Sequence, residues 1–200
     1  MTEHYFTHSP NTPHDREQWS FELKGKIFQF ITDSHVFSKK TVDFGSRVLI
    51  DAFSDDNLPE GKILDVGCGY GPVGLALAYS TKRPVEMVDV NERAVALAEE
   101  NATLNGIKEA DVHVSDIYEA VHLKEYAVIV SNPPIRAGKR VVHSILEGAC
   151  PLLAKGGTLT VVIQKKQGAP SAQKKMQEVF GNVEVVTRDK GYFILRSVKN

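Results

Sequence analysis

Apolar and polar positions along the chain fall into alternating strand and helix patterns. Phe21 and Leu23, then Ile27, Phe28, Phe30 and Ile31, flank Lys24-Gly25-Lys26 and predict a short hairpin. Val42, Val48, Leu49, Ala52 and Phe53 predict a helix over 42–53. Ile63 to Val66 reads as a buried strand end, and Pro72 opens a helix carrying Val73, Leu75, Ala76, Leu77 and Ala78. A second strand spans 84–89, and Asn91 caps a helix whose stripe is Ala94, Val95, Leu97, Ala98 and Leu104, closed by Asn105-Gly106. Residues 112–116 alternate as a strand, and 126–130 form a continuous apolar run suited to a central parallel strand buried on both faces. A helix around 141–153, a strand over 159–163, a helix over 171–180 and a hairpin of 183–187 with 192–196 complete the pattern. Such alternation predicts a mostly parallel sheet with helices on both faces. Residues 1–19, with His4, His8 and His14 and two prolines, read as an extended arm. The acidic loop Asp55-Asp56-Asn57-Leu58-Pro59 divides an N-terminal arm, hairpin and helix (1–57), packed on the core, from the core itself (58–200), within one structural domain.

Length and composition narrow the class. Two hundred residues, 42% hydrophobic and 24% charged, describe an ordinary globular domain. The N-terminus has no signal-peptide pattern and no apolar run is long enough to span a bilayer, so a cytoplasmic protein without membrane association is expected. Cys68 and Cys150 form no disulfide framework, and no His or Cys spacing marks a metal site. Net charge is only −1, yet it is unevenly spread: residues 51–131 carry fifteen acids and six bases, residues 132–200 four acids and twelve bases. A basic final third is compatible with a face that binds a polyanion.

The chemistry begins at Asp65-Val66-Gly67-Cys68-Gly69-Tyr70-Gly71. Strand, glycine turn and helix bring a ligand onto bare backbone N–H groups, and a Cβ would obstruct both turn and ligand. Gly69 to Gly74 satisfies the dinucleotide pattern G-x-G-x-x-G, but Asp65 would repel a pyrophosphate and suits a ligand bearing an ammonium group, as S-adenosylmethionine does. Asp89, ending the second strand, is placed to accept from ribose hydroxyls, with Val90 beside it. Asp116, ending the third and followed by Ile117, is placed to accept from an adenine amino group.

Asn132-Pro133-Pro134 follows the central strand. An exocyclic amino or amide nitrogen is a poor nucleophile because its lone pair is delocalised. The Asn132 amide oxygen and the Pro133 carbonyl can each accept one N–H and aim the lone pair at a methyl donor, and two prolines hold that backbone in place. The plain alternative is turn chemistry after a strand.

The glycine stretch resembles the first motif of the class I S-adenosylmethionine-dependent methyltransferases, and Asn132-Pro133-Pro134 resembles the N-P-P motif of those that modify planar nitrogens. With Val36-Phe37-Ser38-Lys39, Asp43-Phe44-Gly45-Ser46 and the run through Ile135-Arg136-Ala137-Gly138-Lys139, nearly the whole chain from residue 20 is similar to the small-subunit ribosomal RNA guanine-N2 methyltransferases, in single-domain form. The resemblance implies an α/β Rossmann-like fold: a mostly parallel seven-stranded sheet, a C-terminal antiparallel hairpin and a small N-terminal appendage. It implies that Asp65, Gly67, Cys68, Gly69, Gly71, Asp89, Val90, Asp116, Ile117 and Asn132 bind S-adenosyl-L-methionine, and that Asn132, Pro133 and Pro134 form the catalytic motif. Phe37, Ser38, Lys39, Ile135, Arg136, Lys139 and Arg140 are the expected substrate contacts. Ribosomal RNA or a ribosomal subunit is the expected partner, the protein being monomer or homodimer, and guanine N2 the expected target. Ile135 stands where many adenine- and glutamine-modifying relatives of the motif have an aromatic residue. Protein glutamine methylation and adenine N6 methylation are the rival reactions, and a non-catalytic binding module or an NAD-dependent oxidoreductase the rivals of another class.

Overall fold

The computed structural model describes residues 13–34, 36, 38 and 40–200. His4, His8, Phe37 and Lys39 therefore lie outside the described residues. The first two strands, β1 (Glu17–Leu23) and β2 (Lys26–Thr32), pair antiparallel from Glu17 opposite Thr32 to Leu23 opposite Lys26. Lys24 and Gly25 both take positive φ, the twist a two-residue hairpin turn requires. The arm expected through residue 19 thus ends sooner, because Glu17 is already paired. The helix expected from Val42 begins two residues later, as α1 (Phe44–Ala52), because the Asp43 side chain accepts the Ser46 N–H and so ends the helix as its N-cap.

The core alternates as expected: β3 (Ile63–Val66), α2 (Pro72–Thr81), β4 (Val85–Asp89), α3 (Glu92–Leu104), β5 (Ala110–Val114), β6 (Tyr126–Ser131), α4 (Lys139–Ala149), β7 (Leu153–Gln164), α5 (Ala169–Phe180), β8 (Glu184–Asp189) and β9 (Tyr192–Val198). The seven strands lie in the order β5-β4-β3-β6-β7-β9-β8. β3 to β7 are parallel, and the β8–β9 hairpin joins antiparallel through β9 against β7. This is the sheet the sequence led one to expect: seven-stranded, mostly parallel, with a C-terminal antiparallel hairpin. Several details differ from the sequence pattern: β5 ends at Val114, two residues before Asp116, and β7 begins at Leu153, six residues before the expected start. The helix expected to run to Leu153 stops at Ala149 and gives way to one 3-10 turn, where Pro151 has no N–H to offer. Leu104, assigned to the buried stripe of α3, is 42% exposed as the last residue of that helix.

Both faces of the sheet are covered. In β6, Val128 and Val130 join the cluster on the side of α1, α2 and α3, while Ile129 joins the cluster on the side of α4 and α5. That alternation explains why the strand is apolar at every position. The hairpin packs on α3 through two asparagines one turn apart. Asn101 accepts from the Ile31 N–H and donates to the Ile31 and Tyr70 carbonyls, and Asn105 exchanges the same pair of bonds with Gln29. The two side chains satisfy the outer edge of β2 as a neighbouring strand would. Among the described residues, no helix is long and apolar enough to cross a membrane.

Candidate active site

The chain order of the sheet reverses at β3: β4 lies on one side and β6 on the other. In open parallel sheets the crevice at such a switch point, beyond the carboxyl ends of the strands, is where ligands bind. Here the ends of β3 and β6 carry the two motifs singled out above. Ser131 Oγ donates to the Val66 carbonyl at 2.7 Å and pins the two strand ends together. A cavity of about 560 Å³ opens there, bordered by both motifs.

The glycine loop forms one wall. Gly67, Gly69 and Gly71 all have positive φ. A Cβ at Gly67 or Gly69 would meet no protein atom, so packing does not demand glycine there; the left-handed backbone does, and the open side is the cavity. Gly71 departs from expectation: it does not border the cavity, and its role is to turn the chain into α2, with its N–H on the Cys68 carbonyl. Gly74 serves contact between helix and strand, since a Cβ would fall 2.6 Å from Met87 Sδ and 3.0 Å from Asp65 Oδ2. Cys68 lines the wall as a buried neutral thiol; burial pushes its pKa up, and the charges of Asp89 and Asp65 push it further.

Three carboxylates expected at strand ends border the cavity. Asp65 lies deeper than the loop mouth, 1% exposed, with Oδ2 on the Gly74 N–H at 2.8 Å. Burial raises its pKa to about 7 against the pull of that hydrogen bond, and Asp89 adds to the rise. Asp89 accepts from Gly69 N (2.8 Å) and Asn91 N (2.9 Å), one backbone N–H on each oxygen; burial still raises its pKa. Asp116 is exposed at the rim, next to Ile117, whose φ of 52° is rare for a β-branched residue. Ser115 braces that turn by donating to the Ile117 carbonyl and accepting the Ala120 N–H. Val90 borders the same cavity.

Opposite stands Asn132, with Pro133, Pro134, Ile135 and Arg136 also on the cavity wall. The Asn132 Nδ2 donates to Asp43 Oδ2 and to Ser46 Oγ, each at 3.0 Å, while Oδ1 takes no hydrogen bond among the described residues. Lys139 and Arg140 lie outside the cavity, exposed in the first turn of α4. Ser38 lies outside it as well, its hydroxyl on the Thr41 carbonyl, because the turn before α1 uses that hydroxyl locally. Residues that pattern alone missed complete the wall: Asp43, Ser46, Tyr70, Gln164, Gln167 and Tyr192. Tyr192 adds an aromatic side chain to the cavity wall. Its ring packs 5.5 Å from Phe44 and close enough to Gly45 that a Cβ there would lie 3.0 Å away. The only sequence signal for it was the start of the last strand.

Two acidic groups and a bare glycine turn on one wall, facing an amide oxygen on the other, suit a cationic donor and an amine acceptor. Comparison with known proteins identifies the family. Residues 27–196 match the methyltransferase small domain. The chain belongs to that family. An uncharacterized protein of Bacillus subtilis, YbxB, is 52% identical over the full length of both chains. Ribosomal RNA small subunit methyltransferase C of an Enterobacter species is 32% identical over 168 residues, which cover 82% of this methyltransferase and 47% of that relative. The chain thus spans about half the length of the ribosomal RNA methyltransferases that it matches and the whole of YbxB. Among solved structures, the T. thermophilus 16S rRNA N2 methyltransferase RsmC in complex with AdoMet and guanosine superposes with a TM-score of 0.83 at 25% identity, over 96% of this chain and 52% of that one.

Proposed function

We propose that this methyltransferase moves a methyl group from S-adenosylmethionine to an exocyclic amino nitrogen of RNA, guanine N2 of small-subunit ribosomal RNA being the target. The observation that carries the reading is the Asn132 amide: both of its N–H groups are engaged at the N-terminal end of α1, by the cap Asp43 and by Ser46, and its oxygen remains for the cavity that the glycine loop borders. The names of the ribosomal RNA relatives and the guanosine bound to the T. thermophilus enzyme favour RNA and guanine.

S-adenosylmethionine supplies an electrophilic methyl on a sulfonium, and the residues present fit it. Asp65 offers its carboxylate to the ammonium, the Gly67 and Gly69 backbone lies open to the methionine portion, and Asp89 and Asp116 offer acceptors to the ribose and adenine. Asn132 Oδ1 and the Pro133 carbonyl each accept one N–H of the target amine and turn its lone pair toward the methyl. As the N–C bond forms and the S–C bond breaks, positive charge grows on the nitrogen, and both acceptors stabilise it. The surplus proton then leaves to water; it is acidic enough on the methylated nitrogen that no strong base is required. Tyr192 gives the base a flat apolar neighbour, and a paired guanine has to leave its stack to enter such a cavity.

The test is incubation with radiolabelled S-adenosylmethionine and, separately, ribosomal RNA, ribosomal subunits and a protein extract, followed by nucleoside and amino-acid analysis. N2-methylguanosine is the expected product. Label in glutamine, or in N6-methyladenosine, would overturn the choice of target while leaving methyl transfer intact.

A further inference from the structure

We propose that Asp43 is a positioning residue whose carboxylate decides which end of the Asn132 amide faces the cavity. The inference rests on the reading of Asn132 given above and extends it to a group 89 residues upstream. Asp43 caps α1, and a single oxygen, Oδ2, accepts both the Ser46 N–H and an Asn132 Nδ2–H, each at 3.0 Å. The second Asn132 Nδ2–H goes to Ser46 Oγ at 3.0 Å, and Ser46 is only 3% exposed. An amide has two donors, and here both have acceptors on one helix end.

The reversed amide is what matters. An ionised carboxylate has no hydrogen to donate, so turning Asn132 over would set its Oδ1 against Asp43 Oδ2, acceptor against acceptor. It would also point Nδ2 at the target amine, donor against donor, where the chemistry needs an acceptor. Asp43 therefore makes one of two nearly isosteric rotamers the only one with satisfied partners. An N-cap alone needs no such reach: serine or threonine satisfies a helix end equally well. The extra length of aspartate is what lets the cap touch Asn132.

Substitution separates capping from positioning. Asp43→Ser keeps a cap oxygen for the Ser46 N–H but is too short to hold Asn132. The expected result is an unchanged melting temperature within a few degrees, unchanged affinity for S-adenosylmethionine by calorimetry, and a kcat on ribosomal RNA lowered about 10- to 100-fold, the scale of a misplaced reacting group. Asp43→Asn is long enough for its amide oxygen to accept both bonds and should recover most of that loss. On an Asn132→Ala background, under single-turnover conditions, Asp43→Ser should change the residual rate by less than about threefold, because the group it positions is gone. Equal losses in both backgrounds, or an Asp43→Asn variant as slow as Asp43→Ser, overturn the positioning role. Asp43→Ser at wild-type turnover while Asn132→Ala is nearly inactive overturns it too and leaves the reading of Asn132 standing. Asn132→Ala at wild-type turnover overturns that reading itself.

Discussion

The carboxyl of Asp65 has Oδ2 on the Gly74 N–H and almost no exposed surface, so burial sets its proton affinity. Its pKa stands at about 7 instead of an ordinary aspartate's 3.8, raised by burial and by Asp89. The sign follows from linkage: because the folded value is raised, the ligand-free protein is favoured below the unfolded pKa and loses that contribution as pH rises through about 7. A ligand ammonium reverses the preference by stabilising the ionised carboxylate. Affinity for S-adenosylmethionine should therefore climb from pH 5.5 to about 7 and level off above it, with release of nearly one proton per ligand at pH 6. Calorimetry in two buffers of different ionisation enthalpy reads both quantities. Asp65→Asn should flatten the profile, weaken binding at pH 8 and raise the ligand-free melting temperature there. A wild-type affinity independent of pH between 5.5 and 8 would remove Asp65 from the ammonium site.

Among the elements, the β1–β2 hairpin depends on asparagines in a helix far along the chain. Asn101 is fully buried and makes three bonds to backbone groups of Ile31 and Tyr70, so its loss orphans those groups away from water. Asn101→Ala should cost on the order of 3 kcal/mol in urea unfolding, the range for buried groups left unsatisfied. Asn105 is only half-buried, so water can replace it, and Asn105→Ala should cost ~1 kcal/mol. Equal costs would mean that the pair acts as surface polar residues. The consequence reaches the site. Tyr70 sits in the glycine loop, and its ring packs edge-on against Trp19 and Phe30 of the hairpin, so the element that docks on α3 also backs the glycine-loop wall of the cavity.

Across the whole molecule, six of the twelve bases of the final third gather at one end of the sheet. Arg136, Lys139 and Arg140 lie at and before the start of α4, and exposed Lys165 and Lys166 follow the end of β7. The Lys165 N–H bonds the Gly191 carbonyl in the β8–β9 turn, which brings Lys190 to the same end of the sheet. All of these lie beyond the carboxyl ends of the parallel strands, where the cavity opens. Replacing Arg136, Lys139 and Arg140 by glutamine should reduce the slope of log affinity for RNA against log salt by about 2, given ~0.7 counterions released per single-strand phosphate contact. Lys155, exposed near the start of β7 and hence at the opposite end, is the control, and Lys155→Gln should leave the slope unchanged. A slope unaltered in the triple variant would point to another binding face or to a protein substrate.

Much of this was legible in the order of residues, because it is local. The strand-turn-helix of residues 63–78, the cap at Asn91 and the apolar run of β6 each depend on neighbours within a turn or two, and positive φ at Gly67 and Gly69 is a local demand that only glycine meets without strain. Asn132-Pro133-Pro134 announced itself in the same way, as a short motif at a strand end. What the tertiary structure decided are the pairings between distant segments. Which end of Asn132 faces the cavity depends on Asp43, the depth and proton affinity of Asp65 depend on how α2 closes over β3, and the aromatic face comes from Tyr192, brought in by a strand from the other end of the chain. Pattern and propensity report what a residue's own turn or strand requires. Orientation, burial and charge at the site arise where strands from three parts of the chain end side by side.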